Sequence, residues 1–315
     1  MLVLAGLVLL AVDLSVHNLG TTFNSDDAEW ANVLAGETSE QNPLVRFLKS
    51  ELNSDSDAGP YRAEITSAGS MWANSPMVVG VQATQGYNPL RYGFYERTVG
   101  AQPSFGYPRP FTPMMPSYNS PLLNLLGVKY LVSVSPLKEL DPKVDETRFK
   151  LVFDQGVSVW QNPEALPRVL TATSVYVDPN LDEAIGSGNI AALDYRSVAV
   201  VSHLPETLAT LQSERQSVTP LPGRGEVHAR VLAYRSSEVA IAVQSERDVL
   251  VVLNDLYYPY WRVYVDDHEK ELLQANYLFR GVHVEAGEHR VVFRFEPFSW
   301  PAIQLTVRRL LSSEF

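Results

Sequence analysis

From residue 227 to residue 296 apolar and polar residues alternate, and this pattern constrains the fold more than any other feature of the chain. Successive side chains of a β-strand point to opposite faces, so a period of two indicates strands with one buried face. Seven short strands separated by turns are typical of an antiparallel β-sandwich. We expect the strands at 227–234, 238–244, 248–254, 261–266, 270–275, 278–285 and 289–296.

The turn "EAGEH", 285–289, joins the last two of these strands and predicts a hairpin with a positive φ at Gly287. Such pairing would bring His283 and His289 close together. Two histidines lack a third ligand, so we interpret them as rim residues of the hairpin. The chain has no cysteine, which excludes disulfides and thiolate metal sites, and no residue pattern predicts a metal ion or another cofactor.

The part of the chain before this region mixes helices, strands and loops. Asn42 and Pro43 predict the N-cap and first residue of a helix that runs through Leu52. "LLNLLGVKYLVS" predicts a short helix and a buried strand at 129–134, and "FKLVFDQGVSVWQNP" predicts a hairpin. Residues 70–121 are rich in Pro, Gly and Tyr and predict an ordered, loop-rich surface. "LPGRGE", 221–226, is the predicted linker.

The N-terminal run "MLVLAGLVLLAV" is apolar and uncharged, but twelve helical residues cover only about 18 Å of a bilayer core of roughly 30 Å. A helix buried in a soluble core, a signal-like segment and the last turns of a membrane helix whose start is missing are the alternatives, and we favour the last. The following "NSDDAEWANVLAGE" has no Lys or Arg, which favours the side of the membrane outside the cytoplasm. The C-terminal "WPAIQLTVRRLLSSEF" is not predicted to span, because Arg308 and Arg309 interrupt it.

The predicted fold class is therefore α+β. It comprises a mixed α/β, loop-rich N-terminal region, preceded by the truncated transmembrane helix, and a β-sandwich of about seven strands. The predicted domains are 1–17, the end of the membrane helix; 18–220, an α+β extracytoplasmic domain; 227–297, the sandwich; and 298–315, a C-terminal tail.

Charge and motifs exclude several classes of function. The formal net charge is −11, which argues against nucleic-acid binding and against adsorption to anionic lipid headgroups. No phosphate-binding loop, dinucleotide fingerprint, nucleophile elbow or zinc-protease motif is present. The adjacent carboxylates Asp266 and Asp267 point to opposite faces of a strand, so they are not arranged for the paired acid–base work of a glycosidase. No catalytic residue is predicted.

The stretch "LNDLYYPYWRVYVDD", 253–267, is the densest group of aromatic residues. Alternation predicts that Trp261 faces the core and that Tyr264 lies on the opposite face, near Asp266. Tyr257, Tyr258 and Tyr260 belong to the turn around Pro259. There they either stack on a sugar or pack the end of the sandwich.

In "LFRGVHVE", Arg280 falls on the same face as the apolar residues Leu278, Val282 and Val284. A charge aimed at a core needs a carboxylate partner, and Asp255 and Asp266 lie at the ends of neighbouring strands. The alternative is that Arg280 extends past the sandwich end to water. The candidate ligand-binding residues are Tyr257, Tyr258, Tyr260, Tyr264, Asp255, Asp266 and Arg280.

The order of four motifs, from about Asp13 to Pro297, resembles the extracytoplasmic C-terminal part of the YfhO family of bacterial multi-pass membrane proteins. The residues that carry the resemblance are Asn124, Leu125, Lys129 and Tyr130; Asn162, Pro167 and Arg168; Asp255, Tyr258, Pro259, Trp261 and Asp266; and Asn276, Arg280, Gly281, Gly287 and His289. The family pattern favours glycine where this chain has Tyr260 and Asp267. If both sites need a positive φ, Tyr260 is strained and Asp267 is tolerated.

The resemblance implies a link to GT-C-type glycosyltransferases that decorate cell-envelope polymers from lipid-linked sugars. It implies a location at the cell membrane, attachment through the N-terminal helix, and a glycan or lipid-linked sugar as partner, with the catalytic residue in membrane segments outside this chain. We expect this chain to bind or position glycan without catalysing a reaction. The alternatives are a stand-alone carbohydrate- or protein-binding module and, third, a soluble glycoside hydrolase.

Overall fold

The computed structural model describes residues 8, 12–13, 41–54, 57–66, 75–84, 95, 98–99, 117–181, 183, 190–211 and 217–312. Most of the regular structure consists of strands arranged in several sheets, with few helices. The helices in these ranges are α1 (Pro43–Leu52), α2 (Ser75–Val79), α3 (Pro121–Leu125), α4 (Leu137–Leu140) and α5 (Trp300–Ser312), with 3₁₀ turns at Glu146–Arg148 and Glu206–Leu208.

The first sheet lies in the N-terminal half and consists of β1 (Arg62–Thr66), β2 (Val128–Ser133), β3 (Lys150–Asp154) and β4 (Ser158–Gln161). Its strand order is β1–β2–β4–β3. The parallel pair β1 and β2 lies beside an antiparallel pair formed by β3 and β4, which is the hairpin predicted from "DQG". Helix α1 begins as predicted, because the Asn42 side chain accepts from the Leu44 amide at 2.8 Å, and it packs its apolar face on this sheet.

The remaining strands form two further sheets. They are β5 (Val169–Ala172), β6 (Ser174–Val177), β7 (Val198–Val201), β8 (Val218–Pro220), β9 (Gly223–Tyr234), β10 (Glu238–Arg247), β11 (Val249–Leu256), β12 (Trp261–Val265), β13 (His268–Lys270), β14 (Leu273–Ala275), β15 (Phe279–Val284) and β16 (Gly287–Phe295). One is a curled seven-stranded sheet, in the order β5–β11–β15–β14–β7–β6–β8, and the other is a five-stranded sheet, in the order β13–β12–β16–β10–β9.

Strand β11 lies between two hydrophobic cores. Val249, Val251 and Leu253 face the five-stranded sheet, where they join valines of β10, β12 and β16. Leu250 and Val252 face the other way, into a core that contains α3 and residues of β7. Burial on both faces explains why β11 is an almost continuous apolar run and does not alternate.

The predicted final hairpin is wrong. Gly287 has a positive φ of 146° as expected, but β15 belongs to the seven-stranded sheet, whereas β16 pairs with β10 and β12 in the other sheet. The turn therefore carries the chain from one sheet to the other. His283 and His289 consequently lie on different sheets. The predicted strand 270–275 is likewise divided into β13 and β14, one in each sheet.

The predicted linker 221–226 is largely strand, since β9 begins at Gly223. Strands from both sides of it share the seven-stranded sheet, so the boundary between 18–220 and 227–297 divides the strands of one sheet. The predicted C-terminal tail contains α5. Among the described residues of this segment, four apolar side chains are exposed to solvent, namely Phe298, Trp300, Ile303 and Val307.

The predicted membrane helix at 1–17 falls mostly outside the described residues; within it, Val8, Val12 and Asp13 are helical. In the described part of the chain, no helix has both the length and the apolar character needed to cross a bilayer. Most of the loop-rich segment predicted at 70–121 also lies outside the described residues.

Candidate functional site

The most unusual group of side chains is built around Asp255, at the end of β11. The pairing of β11 with β15 is irregular between Leu253 and Leu256, which releases Asp255 from the regular ladder. Its carboxylate oxygen Oδ1 accepts from Arg62 Nη2 at 2.8 Å and from Arg168 Nη1 at 3.1 Å. The other oxygen, Oδ2, lies 3.3 Å from Arg280 Nη2. Three guanidinium groups from three parts of the chain thus surround one carboxylate.

These charges are removed from bulk water, with exposed side-chain fractions of 1% for Arg168, 4% for Arg280 and 13% for Arg62 and Asp255. Buried guanidinium groups require acceptors, and backbone carbonyls supply some of them. Arg62 donates to the Leu126 carbonyl at 2.6 Å, and Arg168 donates to the Pro60 carbonyl at 2.6 Å. Arg280 is less well satisfied, because its buried Nη1 has no hydrogen-bond partner.

Burial and charge act in opposite directions on the pKa values of the cluster. Burial alone raises the pKa of Asp255, but the charges of Arg168, Arg62 and Arg280 outweigh it and hold this pKa below the ordinary value. Burial lowers the pKa of Arg62 to about 10, helped by the neighbouring Arg168 charge. Burial also lowers the pKa of Arg280 to about 10, against the attraction of Asp255. At neutral pH Asp255, Arg62 and Arg280 are therefore ionised.

Tyr234 completes the polar part of the cluster from β9. Its hydroxyl donates to Asp255 Oδ2 at 2.9 Å, and its ring lies 5.5 Å from the guanidinium carbon of Arg168. Burial raises the pKa of Tyr234 to about 12, with a further contribution from the Asp255 charge. The phenol therefore stays protonated throughout the neutral range, and its hydrogen bond holds the Asp255 carboxylate in place.

A cavity of about 760 Å³ opens beside this cluster. Arg62, Asp255 and Arg280 are among its polar lining residues, with Gln82, Thr84, Arg235 and Ser236. The guanidinium carbon of Arg280 stands 3.6 Å from the centroid of the Trp261 ring, a close cation–π stack. The volume is within the range of sites for small ligands. The aromatic side chains in the described lining are Tyr95, Tyr234, Tyr258, Trp261, Phe279 and Phe295.

The aromatic loop that forms one side of the cavity has a strained backbone. Tyr260 has a φ of 80°, a conformation that costs energy for any residue with a side chain other than glycine. The loop is held there because the Tyr260 carbonyl accepts from the Glu296 amide at 2.7 Å, and its hydroxyl lies 2.8 Å from Thr306 Oγ1 on α5. The φ of Asp267 is 64°. Both positions where a glycine is favoured by the YfhO pattern therefore have a positive φ.

Three of the seven predicted site residues lie in the cavity wall: Asp255, Tyr258 and Arg280. Of the two predicted partners of Arg280, the ion pair with Asp255 is confirmed, whereas Asp266 pairs with His289; the alternative in which Arg280 reaches water is wrong. The other four predicted residues are not in the described lining. Tyr264 donates to Glu296 at 3.0 Å on the outer face of the five-stranded sheet, Asp266 lies 2.6 Å from His289, Tyr260 contacts α5, and Tyr257 bonds the Leu278 carbonyl through its amide.

Sequence reasoning missed Arg62, Arg168 and Tyr234, and it assigned Trp261 to the core only. Trp261 does pack against the core formed with Val263, but it lies at the edge of that core and also lines the cavity. A signal for Arg168 existed, because it is among the residues that carry the resemblance. No pattern in the sequence pointed to Arg62, whose role depends on how β1 meets the end of β11.

His283 and His289 lie apart, and each contacts a different aspartate: His283 contacts Asp248 and His289 contacts Asp266. His283 is buried, with Nδ1 2.8 Å from Thr207 Oγ1 and Nε2 3.3 Å from Asp248. Burial lowers the pKa of His283 despite the attraction of Asp248, so the ring is neutral at pH 7. Across the described residues, no group of three or more His, Cys, Asp or Glu side chains is arranged to hold a metal ion.

No family model, curated protein or solved structure matches this chain. The fold and the site define it as a β-rich protein with a charged, aromatic-lined cavity at the junction of its sheets.

Proposed function

We propose that this chain is the extracytoplasmic part of a YfhO-like membrane protein implicated in glycosylation of cell-envelope polymers, and that it binds glycan in the cavity beside Asp255 and Arg280. The observation that carries the proposal is the combination of aromatic faces with fixed hydrogen-bonding groups in one cavity. Sugar rings present apolar C–H faces and a rim of hydroxyl groups. A wall of Trp and Tyr with adjacent charged groups complements both.

The convergence of the quoted motifs supports the resemblance to the YfhO family. Arg168, Asp255 and Arg280 come from three motifs separated by many residues, yet they meet in one ion cluster. The first two motifs also meet, since Asn162 Nδ2 donates to Asn124 Oδ1 at 2.8 Å. Residues that are scattered in sequence and joined in space are what a shared architecture requires. The proposed β-sandwich at 227–297 rests on the core between the five-stranded sheet and β11 and β15.

The charge state of the cavity favours binding over catalysis. A glycosidase needs a carboxylic acid that donates a proton and a second carboxylate across the scissile bond. Asp255 is the carboxylate in the described lining, and the arginines hold its pKa below the ordinary value, so it does not serve as a general acid. We therefore place the catalytic step of the parent protein in membrane segments, with attachment through an N-terminal helix and the glycan-binding part outside the cytoplasm.

Two tyrosines of one stretch offer a matched test by calorimetric titration of the purified chain with cell-envelope oligosaccharides. Tyr258 lines the cavity and is 40% exposed, so Tyr258→Ala is expected to keep the fold and weaken binding by about tenfold, the effect of losing one aromatic stacking contact. Tyr264→Ala, on the outer face of the sheet, is expected to leave binding unchanged. Equal loss in both variants would contradict the proposal.

A stand-alone binding module would give the same titration. The genomic sequence upstream separates it from the YfhO-like protein, because about ten apolar spans of about 20 residues each are expected only for the membrane protein. Hydrolysis of a glycoside by the purified chain would contradict both and favour the third candidate, a soluble hydrolase.

A further inference from the structure

Among the described residues, the wall of the cavity has an excess of positive charge, in a chain whose net charge is −11. Three buried arginines surround Asp255. The second carboxylate of this region, Glu64, lies two residues after Arg62 on β1, is fully buried, and accepts from the Thr84 hydroxyl. Even when Glu64 is counted with Asp255, the described residues of this region comprise three buried arginines and two carboxylates. Arg235, on the exposed rim of the cavity, adds a further positive charge.

Burial makes this excess costly, because a charge taken out of water requires a compensating partner. Arg62 and Arg168 have backbone carbonyls as well as Asp255. Arg280 has Asp255 at 3.3 Å and the face of Trp261 at 3.6 Å, while its Nη1 has no acceptor at all. An aromatic face attracts a cation but does not replace a hydrogen bond to an oxygen. The cluster is therefore short of negative charge and of one acceptor.

An oxyanion in the cavity supplies negative charge beside the two arginines that line it, Arg62 and Arg280. The planar guanidinium group matches the oxygens of a phosphate or a carboxylate, and such charge-assisted hydrogen bonds are the strong ones. The lowered pKa values of Arg62 and Arg280 agree with this shortage, since an added anion would favour their charged forms. The neighbouring ring of Tyr258 is positioned in the same wall to contact an attached sugar.

We propose that the cavity is selective for an anionic saccharide, a sugar bearing a phosphate or a carboxylate, whose oxyanion binds the guanidinium groups of Arg280 and Arg62. This inference rests on the proposed glycan-binding function and makes its ligand class specific. Neutral sugars lack the charge that compensates the arginines, whereas free anions lack the ring that the aromatic wall accommodates.

Calorimetric titration of the full chain with four probes tests the proposal: glucose 1-phosphate, glucuronate, glucose and inorganic phosphate. At least one of the first two is expected to bind about tenfold or more tightly than glucose and than inorganic phosphate, the effect of one charge-assisted hydrogen bond. Comparison of glucose 1-phosphate with glucuronate identifies which anion is preferred. Raising the salt concentration from roughly 0.05 M to roughly 0.5 M is expected to weaken this binding. These measurements on the unaltered chain need no variant to fold.

Arg280→Gln adds a residue-specific test, with Arg294→Gln as its matched control on the outer face of the five-stranded sheet. Arg280→Gln is expected to weaken anionic-sugar binding about tenfold or more and to abolish the preference over glucose, whereas Arg294→Gln changes neither. Circular dichroism establishes that both variants are folded.

The outcomes separate the inference from the function on which it rests. Equal binding of glucose and the anionic sugars, lost in Tyr258→Ala but retained in Arg280→Gln, would overturn the inference and leave glycan binding in place. Inorganic phosphate bound as tightly as glucose 1-phosphate would overturn both. Absence of binding by all four probes would also overturn both.

Discussion

Two groups of ion pairs flank strand β12, and they differ in burial. One is the cluster of Asp255 with Arg62, Arg168 and Arg280, which is largely removed from water. The other lies on the outer face of the five-stranded sheet and is more exposed, with side-chain exposures of 22% to 49%; it contains the pairs Arg262–Glu269, Arg294–Glu238 and Arg262–Glu296. The stretch 253–267 contributes to both, because Trp261 contacts the buried cluster and Arg262 points to the outer face.

The difference shows that ion pairs of similar length have very different energetic consequences. Arg294 and Glu238 are 2.9 Å apart, closer than Arg280 and Asp255, yet water competes for both exposed groups. An exposed pair contributes about 0–1 kcal/mol, whereas removal of one member of a buried pair leaves an uncompensated charge. The buried cluster connects β1, β11 and β15.

The largest expected effect comes from Asp255→Asn, which leaves three buried arginines without their shared carboxylate. We expect the free energy of unfolding to fall by about 3–5 kcal/mol in urea denaturation. The matched substitution in the exposed group, Glu238→Gln, is expected to change it by less than about 1 kcal/mol. Similar losses in the two variants would contradict the distinction between the clusters.

A second test compares two tryptophans. Trp261 is partly buried and stacks on Arg280, whereas Trp300 is 69% exposed. Trp261→Ala is expected to lower the free energy of unfolding by about 2–3 kcal/mol, less than for a fully buried tryptophan, and Trp300→Ala by less than about 0.5 kcal/mol. The measurement is urea denaturation followed by circular dichroism, since both variants remove a fluorophore. A larger loss for Trp300→Ala would show that α5 packs on the protein through this ring.

The pH dependence of stability distinguishes Asp255 from His283. The folded-state pKa of Asp255 is lowered, so its stabilising contribution is complete above its unfolded pKa of about 4 and is lost as the pH falls through the lower folded value. The folded-state pKa of His283 is also lowered, so the unfolded chain binds protons more readily and stability decreases as the pH falls below about 6.5.

Denaturation at a series of pH values therefore has two windows. His283→Asn is expected to reduce the slope of the unfolding free energy against pH just below pH of about 6.5. Asp255→Asn is expected to reduce that slope below pH of about 4. A slope near neutral pH that persists in His283→Asn would assign that window to another group.

The smallest expected effect is at the outer turn, where Asp267 has a φ of 64° and a side chain that is 93% exposed. Glycine removes the steric cost of this conformation and loses only a distant pair with Arg290, 3.9 Å away. We expect Asp267→Gly to raise the free energy of unfolding by about 0.5 kcal/mol, measured by thermal denaturation. A loss of stability would show that the Asp267 side chain contributes to the turn.

Local patterns predicted the elements well, because strand and helix signals depend on neighbouring residues. Alternation placed β9, β10, β12 and β16 close to their observed bounds, and Asn42 marked the start of α1. Alternation did not reveal that β15 and β16 belong to different sheets, because two strands joined by a short glycine turn have the same sequence pattern whether they pair or part. The Pro and Gly residues of 221–226 resemble a linker, although β9 begins at Gly223.

Part of the candidate site was predictable because it depends on which face of a single strand a residue occupies. The buried charge of Arg280 follows from its face of β15, and Asp255 was among its predicted partners. Tyr264 was included as part of the aromatic stretch, but alternation directs it to the outer face, where it bonds Glu296. Asp266 was included as a partner for Arg280, but it lies just beyond the end of β12 and bonds His289.

The sequence by itself determined that this chain is β-rich in its last third and that Arg280 and Trp261 fall on core-facing sides of their strands, because alternation along one strand shows which face a residue occupies. Only the tertiary structure decided that Arg62 and Arg168 share that carboxylate and that an aromatic cavity lies beside them. Their meeting depends on how β1, the segment before β5 and the end of β11 are packed together. Contacts between such distant segments are fixed by burial of the shared cores, which no local pattern encodes.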